Sequence, residues 1–211
     1  FNALEMELKT ARGERWISIA GDPIVDTAGR FEGFRGVGSD ITEIRQTQER
    51  LTHLANMDVL SGLPNRGRVR QLLGDALRQA TVSNAPCAIM FLDLDGFKPI
   101  NDRYCHATGD AVLKAVAGRI NSCVRQEDFA ARIGGDEFVV VVWQDFEQID
   151  AVTAMAQRIR TSLAQPLMID GQQLRVGASI GMASYPADGA TADALLARAD
   201  QMMYEIKRGG K

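Results

Sequence analysis

The chain has no excess of positive charge. Its 24 Lys and Arg stand against 27 Asp and Glu, a formal net charge of −3 over 211 residues. A broad basic surface for DNA or RNA is therefore not expected. No apolar run approaches the roughly 20 residues that cross a bilayer, and no secretory leader is visible. Cysteine is scarce: Cys87, Cys105 and Cys123 are odd in number, widely spaced and without metal-type pairing. That excludes a disulfide framework and fits a reducing, cytoplasmic setting. The first residue is Phe1, so the chain is expected to be a piece of a longer protein, with room for one good domain and a fragment or linker.

The chemistry is concentrated near the middle. In Arg132-Ile133-Gly134-Gly135-Asp136-Glu137-Phe138, two glycines and two carboxylates interrupt two apolar, β-prone runs, Phe129 to Ile133 and Phe138 to Trp143. The pattern predicts a hairpin whose bare turn lets a charged ligand reach the backbone. An ordinary Gly-Gly turn with solvated acids would have the same local sequence. A second acidic segment lies some forty residues upstream. There Ala88 to Leu92 form an apolar strand that ends in Asp93-Leu94-Asp95-Gly96-Phe97-Lys98. Strand side chains alternate, so Asp93 and Asp95 share one side and Leu94 takes the other. Two acidic strand ends can hold a divalent ion that binds phosphate oxygens.

Together these segments resemble the GGDEF family of diguanylate cyclases. The resemblance covers roughly residues 58 to 211, opening with Asp58-Val59-Leu60-Ser61-Gly62-Leu63-Pro64-Asn65-Arg66. It continues through Phe97-Lys98-Pro99-Ile100-Asn101-Asp102, Tyr104-Cys105-His106 and Gly109-Asp110. After the hairpin come Ser179-Ile180-Gly181-Met182-Ala183 and Ala199-Asp200-Gln201-Met202-Met203-Tyr204-Glu205-Ile206-Lys207. Any one piece could arise by accident; all of them in family order and spacing could not.

The resemblance implies a reaction: two GTP molecules joined into cyclic di-GMP with release of two pyrophosphates, on a homodimer. It also implies site residues. Asp93, the backbone carbonyl of Leu94 and Asp136 would hold Mg²⁺, or Mn²⁺ in its place. Asp136 would assist deprotonation of the attacking 3′-hydroxyl with Glu137 in support, and the sequence does not separate the two. Lys98, Lys207 and Lys211 would face the phosphates, although the family usually has Arg at the last position. Asn101 and Asp110 would read guanine, and His106 would contact substrate. Asp110 could also cap the following helix. Cys105 stands where the family usually has Gly. Arg125 and Asp128, in Arg125-Gln126-Glu127-Asp128, resemble the family's R-x-x-D inhibitory product site. The alternative is a silent module that binds GTP or cyclic di-GMP and regulates another domain.

Three segments are expected. Residues 1–39 alternate as strands, Arg15 to Ala20 and Phe31 to Val37, with a turn at Asp26-Thr27-Ala28-Gly29, and resemble the C-terminal part of a PAS sensor domain. About 40 residues cannot enclose a core alone. Residues 40–57 form a connector helix, capped by Ser39 or Asp40, with Ile41, Ile44, Gln48, Leu51 and Ala55 at heptad-like spacing. Residues 58–211 form the GGDEF domain. Its predicted helices are Arg66 to Ala80, Gly109 to Cys123, Ile149 to Ala164 and Thr191 to Lys207, with strands Cys87 to Leu92 and Gln173 to Met182 around the hairpin. The expected class is an α/β layer fold with a mixed sheet, which the resemblance relates to nucleotidyl cyclase and polymerase palms.

Overall fold

A computed structural model describes residues 3–10, 13–83, 87–143 and 150–209. It divides into two compact units, 1–55 and 56–211.

The first unit holds an antiparallel sheet of β1 (Leu4–Thr10), β2 (Gly13–Val25) and β3 (Phe31–Asp40) in that order. Both strands read from the sequence are longer than expected, and β1 joins them. The turn between β2 and β3 is set by Asp26, whose carboxylate accepts from the Ala28 and Arg30 amides at 2.8 Å. Gly29 supplies the positive φ of 79° that this turn needs. Helix α1 (Thr42–Asn56) follows, with Asp40 accepting from the Thr42 amide at 2.9 Å. Arg45 lies 3.9 Å over the Trp16 ring and pairs with Glu5, tying the first turns of α1 to the sheet. Two seam residues of α1, Ile44 and Leu51, are 68% and 57% exposed.

The second unit is built on a four-stranded sheet of order β5-β6-β4-β9: β4 (Cys87–Asp95), β5 (Phe129–Gly134), β6 (Glu137–Trp143) and β9 (Gly177–Tyr185). A small hairpin, β7 (Leu167–Ile169) and β8 (Gln172–Leu174), stands apart from it. The α/β layering is as expected. The pairing is not mixed, however: all three pairings in the main sheet are antiparallel. Each helical crossover joins two strands that run the same way, β4 to β5 and β6 to β9. A strand of opposite direction lies between each pair, so no two neighbours are parallel.

Helices α2 (Arg66–Ser83) and α6 (Ala192–Gly209) cover one face of this sheet. Helices α3 (Phe97–Tyr104), α4 (His106–Cys123) and α5 (Asp150–Ala164) lie on the other. Strand β4 is buried on both sides, with Ile89 and Phe91 against α2 and α6, and Met90, Leu92 and Leu94 against α4 and α5. That alternation sends Asp93 to the α2/α6 side. Helix α6 lies close on β9 because Gly181 has no side chain. A Cβ there would come within 2.2 Å of the Ala199 carbonyl and the Met203 amide.

The antiparallel helices α4 and α5 cap one another. Arg119 of α4 donates to the carbonyls of Ser162 at 3.0 Å and Pro166 at 2.6 Å, beyond the end of α5. Arg158 of α5 donates to the carbonyl of Cys123, the last residue of α4. These bonds satisfy carbonyls that a helix terminus leaves open.

Two element readings need correction, and one helix was not expected. Helix α4 starts at His106 rather than Gly109, so Asp110 lies within its second turn and does not cap it. The run Gln173 to Met182 is split between β8 and β9 by Arg175 and Val176. The segment after Gly96 is a short helix, α3. The expected start of α5 at Ile149 lies outside the described residues.

Candidate active site

The hairpin between β5 and β6 is held open by its glycines and fastened by an arginine. Gly134 and Gly135 have φ of 153° and 52°, and the register shifts between Arg132 and Gly134. Only glycine enters both conformations cheaply. Arg132 folds its guanidinium back on this turn, donating from Nε and Nη2 to the Gly135 carbonyl at 3.0 and 2.7 Å. Its Nη1 reaches Asp58 Oδ1 at 2.9 Å and Oδ2 at 3.2 Å. Asp58 also accepts from the amide and hydroxyl of Ser61. Burial opposes ionisation of Asp58, but the Ser61 and Arg132 bonds outweigh it and hold its carboxyl below the usual range. Asp58 and Arg132 therefore brace the turn that carries Asp136.

Beyond the turn, the acids converge. Asp93 and Glu137 are direct cross-strand partners. The Leu94 amide donates to the Asp136 carbonyl at 3.2 Å, closing the end of β4 against the turn. Asp95 is held on the other side by the Ser179 hydroxyl at 3.0 Å. Burial pushes the Glu137 carboxyl up, with Asp200, Asp93 and Asp136 adding repulsion and Arg66 partly offsetting it. Glu137, Asp200, Arg66 and Phe91 also line a cavity of about 410 Å³ between α2 and α6.

A cation already sits in this group: Lys207 of α6 bonds Asp93 Oδ1. That hydrogen bond, then Asp93, Asp136 and Asp95 as charges, raises the Lys207 pKa against the opposing effect of burial. The donor set suits a hard divalent ion, being carboxylate and carbonyl oxygen. Among the described residues no three His, Cys, Asp or Glu side chains converge on one point. Asp93, Asp136 and the Leu94 carbonyl would thus supply part of a coordination shell, with water and ligand oxygens supplying the rest.

The expected base readers lie on the opposite layer. Asn101 of α3 packs on Gly109 of α4, and its Oδ1 is buried with no hydrogen-bond partner. Such an acceptor is costly unless a ligand N–H arrives. Asp110 and His106 are exposed on the first turns of α4, and Lys98 is exposed on α3. Cys105, between the helices, has φ 120° and ψ 166°, a region occupied almost only by glycine. Hydrogen bonds from the Thr108 amide and hydroxyl lower its thiol pKa.

Arg125 and Asp128 occupy the turn between α4 and β5 and line a cavity of about 350 Å³. Asp128 is buried and turned inward: Oδ1 accepts from the Trp143 amide at 2.9 Å and Oδ2 from the Arg125 amide at 3.4 Å. Burial pushes its carboxyl up, against those two bonds. Arg125 is exposed and, among the described residues, in no ion pair. Arg158 brings a second guanidinium to the start of this turn through Cys123. Sequence reading passed over Arg158, Arg132 and Asp58 as functional residues. The last two stood inside quoted motifs, which was the available signal. Lys211 lies outside the described residues.

Known proteins are similar to this chain in sequence and fold. The family model described as "Diguanylate cyclase, GGDEF domain" matches residues 55–211 and does not reach the preceding strands. The cyclic di-GMP phosphodiesterase PdeR of Escherichia coli is 38% identical over 213 residues, covering 100% of this chain and 32% of that protein. The diguanylate cyclase TpbB of Pseudomonas aeruginosa is 42% identical over 75% of this chain and 36% of its own length. A structure of the coiled coil and GGDEF domain of DgcB from Caulobacter crescentus, in complex with c-di-GMP, superposes with a TM-score of 0.73. It is 28% identical, over 81% of this chain and 90% of that one. The chain spans about a fifth to a third of the length of the curated relatives it matches.

Proposed function

The chain belongs to the GGDEF family, and on that premise we propose that it is a diguanylate cyclase, condensing two GTP into cyclic di-GMP as a homodimer. The observation that carries this reading is the cross-strand pairing of Asp93 with Glu137 beside the turn of Asp136. Each 3′-hydroxyl must attack the α-phosphorus of the other nucleotide, which demands activation of a weak nucleophile amid crowded negative charge.

When bound, Mg²⁺ or Mn²⁺ would polarise the phosphate and acidify the hydroxyl. Asp93, Asp136 and the Leu94 carbonyl would hold it. Asp136 or Glu137 receives the hydroxyl proton, and the raised pKa of Glu137 suits it to that task. Lys98 and Lys207 bring positive charge to the triphosphate. Asn101 and Asp110 read guanine, supported by the orphaned Asn101 oxygen. Arg125 and the turn held by Asp128 bind product and restrain the hairpin. Residues 1–39 are the C-terminal part of a PAS-like sensor, and α1 passes its state to the catalytic unit, in a cytoplasmic protein.

A silent ligand-binding module is the second reading. It is favoured by the strained Cys105 in the base loop and by likeness, over the whole chain, to a protein named a phosphodiesterase. Incubation with GTP and Mg²⁺ at high protein concentration, followed by anion-exchange chromatography, separates the two. Cyclic di-GMP and pyrophosphate are expected; intact GTP from a chain forced to dimerise would favour the module.

A further inference from the structure

The contact between Lys207 and Asp93 bears on how the site is filled. Asp93 is only 13% exposed on its side chain, and Lys207 neutralises it. A largely buried carboxylate left without a partner is costly, so the ammonium stabilises the acid cluster. Helix α6 holds the lysine there: Met203, one turn before it, is fixed to β9 by the close approach at Gly181. Asp136 and Asp95, at the other edges of the cluster, add to its hold.

A divalent ion on Asp93 would need a carboxylate oxygen at roughly 2.1 Å. The Lys207 ammonium holds Oδ1 and repels a second cation on the same carboxylate. Metal and ammonium therefore compete for one carboxylate, and a lysine that yields passes from a cluster of acids to solvent unless another anion receives it. A nucleotide triphosphate is such an anion.

We propose that Lys207 is the resident counter-cation of the site, yielding Asp93 only when a phosphate group arrives to receive it, so that divalent metal and nucleotide bind together. This rests on the assignment of Asp93 as a metal ligand. The ligand-free chain then binds divalent ions weakly, and each of the two ligands raises affinity for the other through one moving side chain.

The test is a titration of Mn²⁺ into the nucleotide-free chain, followed by electron paramagnetic resonance of the free ion. Lys207→Met should bind Mn²⁺ about tenfold more tightly than the unaltered chain, a fold-change of the size expected when one facing charge is removed at a half-buried site. Lys98→Met, which removes a charge not bonded to Asp93, should shift affinity less than about twofold by the same reasoning. A second measurement needs no substitution. Labelling of Lys207 by an amine-reactive ester should rise with Mn²⁺ alone and fall again when a non-hydrolysable GTP analogue is added. Equal Mn²⁺ affinity with and without Lys207, lost in Asp93→Asn, would overturn the proposal and leave the metal assignment standing. An equal gain from Lys98→Met would also overturn it, as an effect of bulk charge. No binding to Lys207→Met would overturn the metal assignment and the proposal with it.

Discussion

A methyl group added at Gly109 would lie 1.9 Å from Oδ1 of Asn101. The helix carries glycine there so that the amide can rest against it with its oxygen unbonded. Gly109→Ala should therefore displace Asn101 and lower kcat/KM for GTP by about tenfold or more, the equivalent of one lost hydrogen bond to a buried group. Asn101→Ala separates fold from function. Removing an unsatisfied acceptor should leave thermal stability unchanged or slightly higher, while GTP no longer raises Tm. A large loss of stability in Asn101→Ala would mark the residue as structural.

The brace between Arg132 and Asp58 predicts an acid-sensitive fold. Asp58 has a lowered folded pKa, so its contribution is present above the unfolded value of about 3.9 and is lost as pH falls through the folded value. Asp58→Asn leaves Arg132, 10% exposed, without its charge partner. It should cost about 3 kcal/mol near neutral pH, and the gap from the unaltered chain should close below about pH 4. Urea unfolding across pH would show it; a gap independent of pH would mean that the hydrogen bonds, not the charge, hold the turn.

Arg125 offers a cleaner separation. It is exposed and in no ion pair among the described residues, whereas Asp128 anchors the turn through two backbone amides. Arg125→Ala should weaken cyclic di-GMP binding about ten- to a hundredfold, as for loss of a charge-assisted contact of about 1.5–3 kcal/mol. Initial rates should stay nearly unchanged. Asp128→Ala should instead destabilise the domain as well. Calorimetric titration beside full progress curves compares them.

If two chains supply one GTP each, specific activity must rise with protein concentration. Leu51 is 57% exposed on α1, where a second copy would bury it. Leu51→Lys should lower activity more at dilute than at concentrated protein, with little effect on the melting of the unpaired chain. Specific activity flat across the dilution series would remove the dimer from the mechanism.

Cys105 should be improvable. Its backbone sits where a side chain costs about 1–3 kcal/mol. Cys105→Gly relieves that strain but adds unfolded-chain entropy, for a net gain of about 1 kcal/mol. A rise in Tm without loss of GTP binding is expected; a fall would mean that the Thr108 contacts of the thiol outweigh the strain.

Much of this was legible in the sequence because it was local. The Gly134-Gly135 turn between two apolar runs named its own hairpin, and strand alternation separated Asp93 from the buried Leu94. What was missed either has little periodicity or none that is local. Helix α3 is eight residues long, follows a left-handed Gly96 and contains Pro99, and no element was expected there. The strands of β7 and β8 are three residues each, too short to alternate. The antiparallel sheet depends on strand order, which local propensity does not encode. Arg132 meets Asp58 over 74 residues and Lys207 meets Asp93 over 114, and neither member signals its partner.

Because Arg119 and Arg158 close each other's helix ends, neither α4 nor α5 can unwind back to its arginine without opening the other. Unwinding either helix back to its arginine withdraws the guanidinium that completes the other. Amide exchange near Arg119 and near Arg158 should therefore proceed with one shared opening free energy.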